Sequence, residues 1–521
     1  CEMTPGCEMT PGCEMTPGCE MTPGCEMTPG CEMTPGCEMM PGCEMMPGCE
    51  MMPGCEMTSC GATRLQKIGW TLLMMVVGAF AGLCNSGRCL AQIAEASDKL
   101  PVNVEFDEYF VNKALRLELF HSGDSVNSTM TLHEMYEEPI WPENPKSLIS
   151  PFPYGRCIAR ILDVESGKLI CTRPFDTMFS EYATTEPARK GVKRAFETTV
   201  RLPMPKKPVR VAIEYRNPRY VFEPALDITI DPSDYHIRRE ANRGQDEVFE
   251  IQNTGDPANR VDIAFLAEGY TVDELAKFKG DVQRFSDFML AQKPYSELKS
   301  CFNIRGVFRP SLERGTDEPR QGSFRSTVLN STYNIFDLDR YLLVEENHLM
   351  HRMAAQTPYD TLVVLVNTTR YGGGAICLDY CVSSADHANS PLVFLHEFGH
   401  SFAYLADEYV GNVAYSDMFP EGIEPVEPNI TRELNRDKIK WKAMLTPDIE
   451  LPTPKLGTRD AKTKQHVGAY EGGGYIAKGM YRPEQACWMG SLDRDEGFCA
   501  VCAQAIRCMV SVHSPVDVRG N

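Results

Sequence analysis

The segment at residues 390–409, SPLVFLHEFGHSFAYLADEY, constrains the fold more than any other part of the chain. Ser390 suits an N-cap and Pro391 the first helical position. Leu392, Val393, Phe394 and Leu395 form an apolar run, so a helix starting here must bury itself against a large surface. On that helix His396 and His400 lie one turn apart on the same face. Both imidazoles can then reach one cation, at about 2.0–2.1 Å if it is zinc. Glu397, beside His396, is placed to accept a proton from a water on that ion rather than to bind the ion. Chance would also put two histidines on a packed helix, but the capped start, the apolar run and the acidic pair Asp407 and Glu408 all weigh against chance.

A catalytic zinc ordinarily takes three protein ligands and leaves a position for water. Six residues after His400 stands Ala406, so a third histidine is absent there. Asp407 and Glu408 remain. On a continuing helix Asp407 would lie roughly 10 Å further along the axis than His400. For Asp407 to serve, the helix has to end and the chain double back near residues 404–406. The usual glycine is missing from that turn, since Ala403 occupies its place. Glu408 is the alternative ligand, and either acid could instead orient a histidine from behind.

The flanking pattern alternates strand and helix. Strands are expected at residues 261–266, 302–308, 361–366 and 374–383, and helices at 271–289 and 338–353. Thr271 and Glu274 form a capping box. This is an α/β domain with a mixed sheet, spanning residues 245–521. Residues 374–378 are the candidate edge strand for holding an extended peptide. Residues 101–238 read as an all-β sandwich, with short strands at 115–120, 157–164, 169–173, 196–202, 209–215 and 227–231. A polar linker is expected at 231–259.

Residues 1–56 are a hexapeptide repeat, CEMTPG or CEMMPG. Pro-Gly in every copy opposes helix and strand, so the segment is expected to be disordered, or to be upstream sequence read in frame ahead of Met57. The alternative is a genuine cysteine-rich repeat that cross-links or binds metal. The repeat supplies ten glutamates towards the formal charge of −20, so the remainder is only mildly acidic. No basic stripe points to nucleic acid. Residues 57–96 have the form of a signal peptide, with Arg64 and Lys67 ahead of an apolar run at 68–83. That run is short for a membrane span. Export follows as the expectation, to the periplasm, the cell surface or beyond. The alternatives to a cleaved signal are an uncleaved membrane anchor and lipidation at Cys84, where Ala-Gly-Leu before the cysteine fits a lipoprotein signal poorly.

The repeat also holds ten of the 22 cysteines, and nine lie beyond residue 100. For Cys487, Cys499, Cys502 and Cys508, disulfides are the first expectation in an exported protein, and a second metal site the other. Cys157 and Cys171 either pair across a hairpin or are buried.

In HEFGHSFAYLADEY, in GGGY at 472–475 and in YRPEQACWM with FCAVCAQAI at 481–506, the chain resembles the IgA-peptidase family of secreted bacterial zinc metallopeptidases. FDEYF at 106–110 and PKKPV at 205–209 extend the likeness into the β domain. The resemblance implies a metzincin-like catalytic domain, one zinc ion held by His396, His400 and Asp407, and Glu397 as catalytic base. It also implies a methionine turn beneath the metal, mapped to Met489 rather than Met480. Tyr481 and Tyr409 are candidate donors to the transition state. The implied partner is a protein or peptide substrate, which the family name does not fix as immunoglobulin A. The competing reading is an inactive, adhesin-like binding protein with a protease-like domain.

Overall fold

The computed structural model describes residues 104–239, 246–411, 418–455, 466–494 and 496–514, together with the Glu-Met pairs of the repeat. The signal-peptide region at 57–96 and Cys84 lie outside the described residues. Two compact units divide the chain, Cys1–Leu83 and Cys84–Asn521. In the first, each Glu-Met pair is a two-residue strand that pairs in parallel with a pair three hexapeptides away, as Glu2 with Glu20 and Met3 with Met21. Pro-Gly limits these strands to two residues without abolishing pairing, because the repeat brings identical residues into register. No helix among the described residues is long and apolar enough to cross a membrane.

The second unit opens with two four-stranded sheets. The first contains β1 (Phe110–Gly123), β2 (Ser128–Glu138), β5 (Arg194–Pro205) and β8 (Ile237–Arg238), in the order β5-β1-β2-β8. The second contains β3 (Cys157–Asp163), β4 (Leu169–Phe175), β6 (Val209–Arg216) and β7 (Phe222–Ile230), in the order β4-β3-β6-β7. In β3 every second residue is buried, and Cys157, Ala159 and Ile161 meet Leu115, Leu117 and Leu119 of β1 in one core. Cys157 faces Phe175 and Cys171 faces Ile161, so the two cysteines are not opposite each other, and both are free and buried.

A six-stranded mixed sheet follows, built from β9 (Glu247–Gln252), β10 (Val261–Glu268), β11 (Phe302–Phe308), β12 (Thr361–Val366), β13 (Gly373–Ile376) and β14 (Tyr380–Ser384). Its order is β9-β11-β10-β12-β14-β13, with β9 and β13 as antiparallel edges on a parallel centre. Both faces of the centre are buried, which explains the unbroken apolar run of β12. Val363 and Leu365 enter a core shared with α1 (Leu275–Ala291), α3 (Ser390–Ala403) and α4 (Ala500–His513). Leu362, Val364 and Val366 enter a second core with α2 (Asn347–Ala354). The chain is thus an α/β domain preceded by a β domain, which meet at α2: Arg352 pairs with Glu118 of β1, and the His348 ring meets the Leu119 carbonyl at 2.9 Å.

Three expectations need correction. The helix read at 338–353 is confined to α2, because Leu343–Val344 ahead of it is a short strand paired antiparallel with Ser331–Thr332. The strand read at 374–383 is a hairpin, β13 and β14, turned by Leu378 at φ 57°. The linker at 231–259 contains β9, whose Phe249 and Ile251 pack on the main core while Val248 and Glu250, which alternate with them, are exposed.

Candidate active site

The active helix α3 has Asn389 at its N-cap, one residue earlier than the sequence suggests, and Pro391 in its first turn. It ends at Ala403, where Tyr404 takes the left-handed conformation at φ 55° and ψ 34°. The Tyr404 N–H donates to His400 O and the Leu405 N–H to Gly399 O, closing the last turn. Glycine ordinarily holds such a position, and a side chain there costs about 1–3 kcal/mol. The Tyr404 ring offsets this by being buried and stacked on Tyr154 of the β domain, 4.9 Å between centroids and 8° between planes. The chain then runs back past α3, which is the reversal that brings Asp407 within reach.

His396 Nε2, His400 Nε2 and Asp407 Oδ1 converge. The two nitrogens are 3.2 Å apart and lie 3.1 and 3.4 Å from the oxygen. Ligands on a tetrahedral centre at about 2.0 Å have edges of roughly 3.3 Å, so the donor set fits zinc. Both rings are fixed from behind. His396 Nδ1 donates to Trp488 O at 2.8 Å and His400 Nδ1 to Leu405 O at 2.5 Å. A carbonyl only accepts, so the protons sit on Nδ1 and both Nε2 lone pairs face inward. Asp407 Oδ1 is buried and has no hydrogen-bond donor, while Tyr475 donates to Oδ2. Burial drives the His396 imidazolium down, but Asp407 outweighs it and the ring titrates at about 9. Asp407 in turn is held well below the usual carboxylate range by both histidines against the opposing effect of burial. A site with no cation takes a proton instead, so metal and proton compete for these rings.

Glu397 is buried in the same cluster, with a ligand atom within 4.8 Å of those of His396 and His400. Burial raises its pKa, against the pull of the two rings. The edge strand comes close to it because residue 373 is glycine: a Cβ there would sit 2.5 Å from Val393 Cγ1 and 3.2 Å from Glu397 Cγ. Gly372 and Gly374 are under similar pressure from Tyr333 and Tyr341.

The remaining sequence candidates separate. Met489 is fully buried, and a Cβ on Gly399 of α3 would meet its Sδ at 2.8 Å, so the methionine lies against the active helix. Met480 instead packs with Ala406, Phe419 and Ile430. Glu408, neighbouring Asp407 in the chain, turns away to Asn429 and Cys502 and is not with the histidines. Tyr481 packs in the domain core and does not line the cleft, whereas Tyr409 does, with its hydroxyl 3.2 Å from Arg340. Sequence reasoning missed Arg340 and left Tyr475 unassigned within its GGGY run. It also missed that the β domain supplies Arg156, Asp176 and Glu181 to the cleft wall. Burial pushes Asp176 there up to about 7.

Comparison with family models decides the affiliation. The model described as IgA Peptidase M64 matches residues 249–460 and 455–510, and the one described as Peptidase M64 N-terminus matches 105–226. The chain belongs to the IgA peptidase M64 family. Membership makes it a metallopeptidase by family, and the two matched regions correspond to the α/β and β domains. No curated protein matches the chain.

Proposed function

We propose that this M64 family member is an exported, zinc-dependent endopeptidase with Glu397 as its general base. The observation that carries the reading is the convergence of His396 Nε2, His400 Nε2 and Asp407 Oδ1 at tetrahedral spacing beside the Glu397 carboxylate. When bound, zinc supplies a Lewis acid that activates water near neutral pH and polarises a peptide carbonyl. Glu397 takes a proton from the attacking water onto its carboxylate and delivers it to the departing amine nitrogen. Its raised pKa suits a group that must both accept and return a proton. Arg340 and the Tyr409 hydroxyl, on the cleft wall, are the donors for the developing oxyanion; of the two tyrosines that the sequence offers for this role, Tyr481 lies away from the cleft. The β13 edge, which is also bridged at Gly373 to Tyr341, borders the cleft and offers the substrate an extended backbone to pair with. Met489 supports the helix from below as a methionine turn, in the manner of a metzincin. Export rests on the apolar segment at 68–83.

Casein or a peptide library, incubated with the zinc-supplied protein, tests the reading. Internal cleavage should appear, stop on chelation and return with zinc. Glu397→Gln should retain metal and fold yet lose about 10²–10⁴-fold in rate. Wild-type turnover by that variant contradicts the mechanism, and the absence of any cleavage favours a binding protein.

A further inference from the structure

A second constellation lies apart from the histidine site. Cys487, Cys499, Cys502 and Glu408 present three sulfurs and a carboxylate oxygen, all within 4.8 Å of one another and all buried. The sulfur of Cys502 is 3.0 Å and that of Cys499 3.8 Å from Glu408 Oε1. A tetrahedral zinc with Zn–S bonds of about 2.3 Å would space such atoms by roughly 3.5–3.8 Å.

Three features show what this cluster is built to hold. Backbone N–H groups converge on the sulfurs: those of Cys499 and Met489 on Cys487 at 3.3 and 3.5 Å, and that of Cys502 on Cys499 at 3.4 Å. Such donors stabilise thiolates, and Cys499 adds the N-cap position of the fourteen-residue α4. Second, Glu408 Oε2 is fully buried with no hydrogen-bond partner. A buried carboxylate oxygen without a donor is strongly unfavourable until a cation or a proton meets it. Third, the sulfurs number three and all are free, so one disulfide would strand the third thiol against the carboxylate. Cys508, by contrast, is disulfide-bonded. Soft thiolates with one carboxylate and no open position suit a closed structural zinc site.

We propose that Cys487, Cys499, Cys502 and Glu408 bind a second, structural zinc ion. Its place in the chain gives it a task. Glu408 follows Asp407, and its N–H donates to Met489 O at 2.7 Å. Cys487 precedes Trp488, whose carbonyl holds His396. The ion therefore ties together the two segments that aim Asp407 and His396. The assignment stands on its own four residues and is independent of the peptidase reading.

Elemental analysis of the full chain tests it by difference, so that metal held elsewhere cancels. Cys499→Ser/Cys502→Ser should carry about one zinc less than wild type, His396→Ala/His400→Ala about one less, and the combined variant about two less. With cobalt in place of zinc, the histidine variant should keep thiolate-to-metal charge-transfer bands that the cysteine variant loses. If the cysteine variant fails to fold, native alkylation decides. Cys487, Cys499 and Cys502 should resist alkylation with metal bound and react after chelation, with zinc release. A folded cysteine variant with wild-type zinc content, a mapped disulfide between any two of the three, or alkylation indifferent to chelator overturns the proposal.

Discussion

Tyr475 shows how much one hydroxyl can hold in place. It donates to the oxygen of Asp407 that does not face the histidines, which leaves Oδ1 free for a metal. Removing a hydrogen bond of this kind behind a ligand typically costs 10–100-fold in metal affinity. Tyr475→Phe should therefore fold normally, bind zinc about tenfold more weakly by chelator competition, and recover activity in excess zinc. Undiminished affinity would show that Asp407 is oriented by its backbone alone. Of the residues in this centre, His396, Glu397 and His400 were legible in the sequence because helical spacing alone places them. Asp407 was legible only as a condition, since it needed a chain reversal without glycine. The stacked Tyr154–Tyr404 pair that makes the reversal tolerable joins residues from different domains. No local pattern announces such a contact, and the same holds for Arg340.

At the scale of elements, the glycine run on β13 sets the gap between edge strand and active helix. Gly373→Ala would press a methyl group on Val393 and the Glu397 side chain. Overpacking of this order costs about 1–3 kcal/mol. The expected result is a modest loss of stability on urea unfolding with a larger loss of kcat, zinc content unchanged. Equal kcat would mean the strand yields without moving Glu397. Strands of the sheet centre were readable because burial on both faces leaves an unbroken apolar run, as in 361–366. The edges were not. β9 has charged residues along its length, and β13 and β14 read as one strand because only three residues, Cys377, the left-handed Leu378 and Asp379, separate them.

Across the whole molecule, the β domain is part of the cleft as well as a companion to it, and its buried His121 links its stability to pH. Burial holds that imidazole down at about 3, and one ring nitrogen has no partner. The unfolded chain, with His near 6.5, therefore binds the proton that the folded chain refuses. Stability falls as pH drops from about 6.5 towards 3, by about 2 kcal/mol at pH 5 from this residue. His121→Gln should reduce the slope of unfolding free energy between pH 4 and 6 by about 1.4 kcal/mol per pH unit. An unchanged slope would show that His121 is protonated in the fold. The claim on which the account rests is metal binding by the three converging atoms. Anomalous diffraction at the zinc edge, from crystals of zinc-supplied protein, tests it most directly. The account predicts a peak at about 2.0–2.2 Å from His396 Nε2, His400 Nε2 and Asp407 Oδ1. Density absent there, with the two rings turned apart, would contradict it.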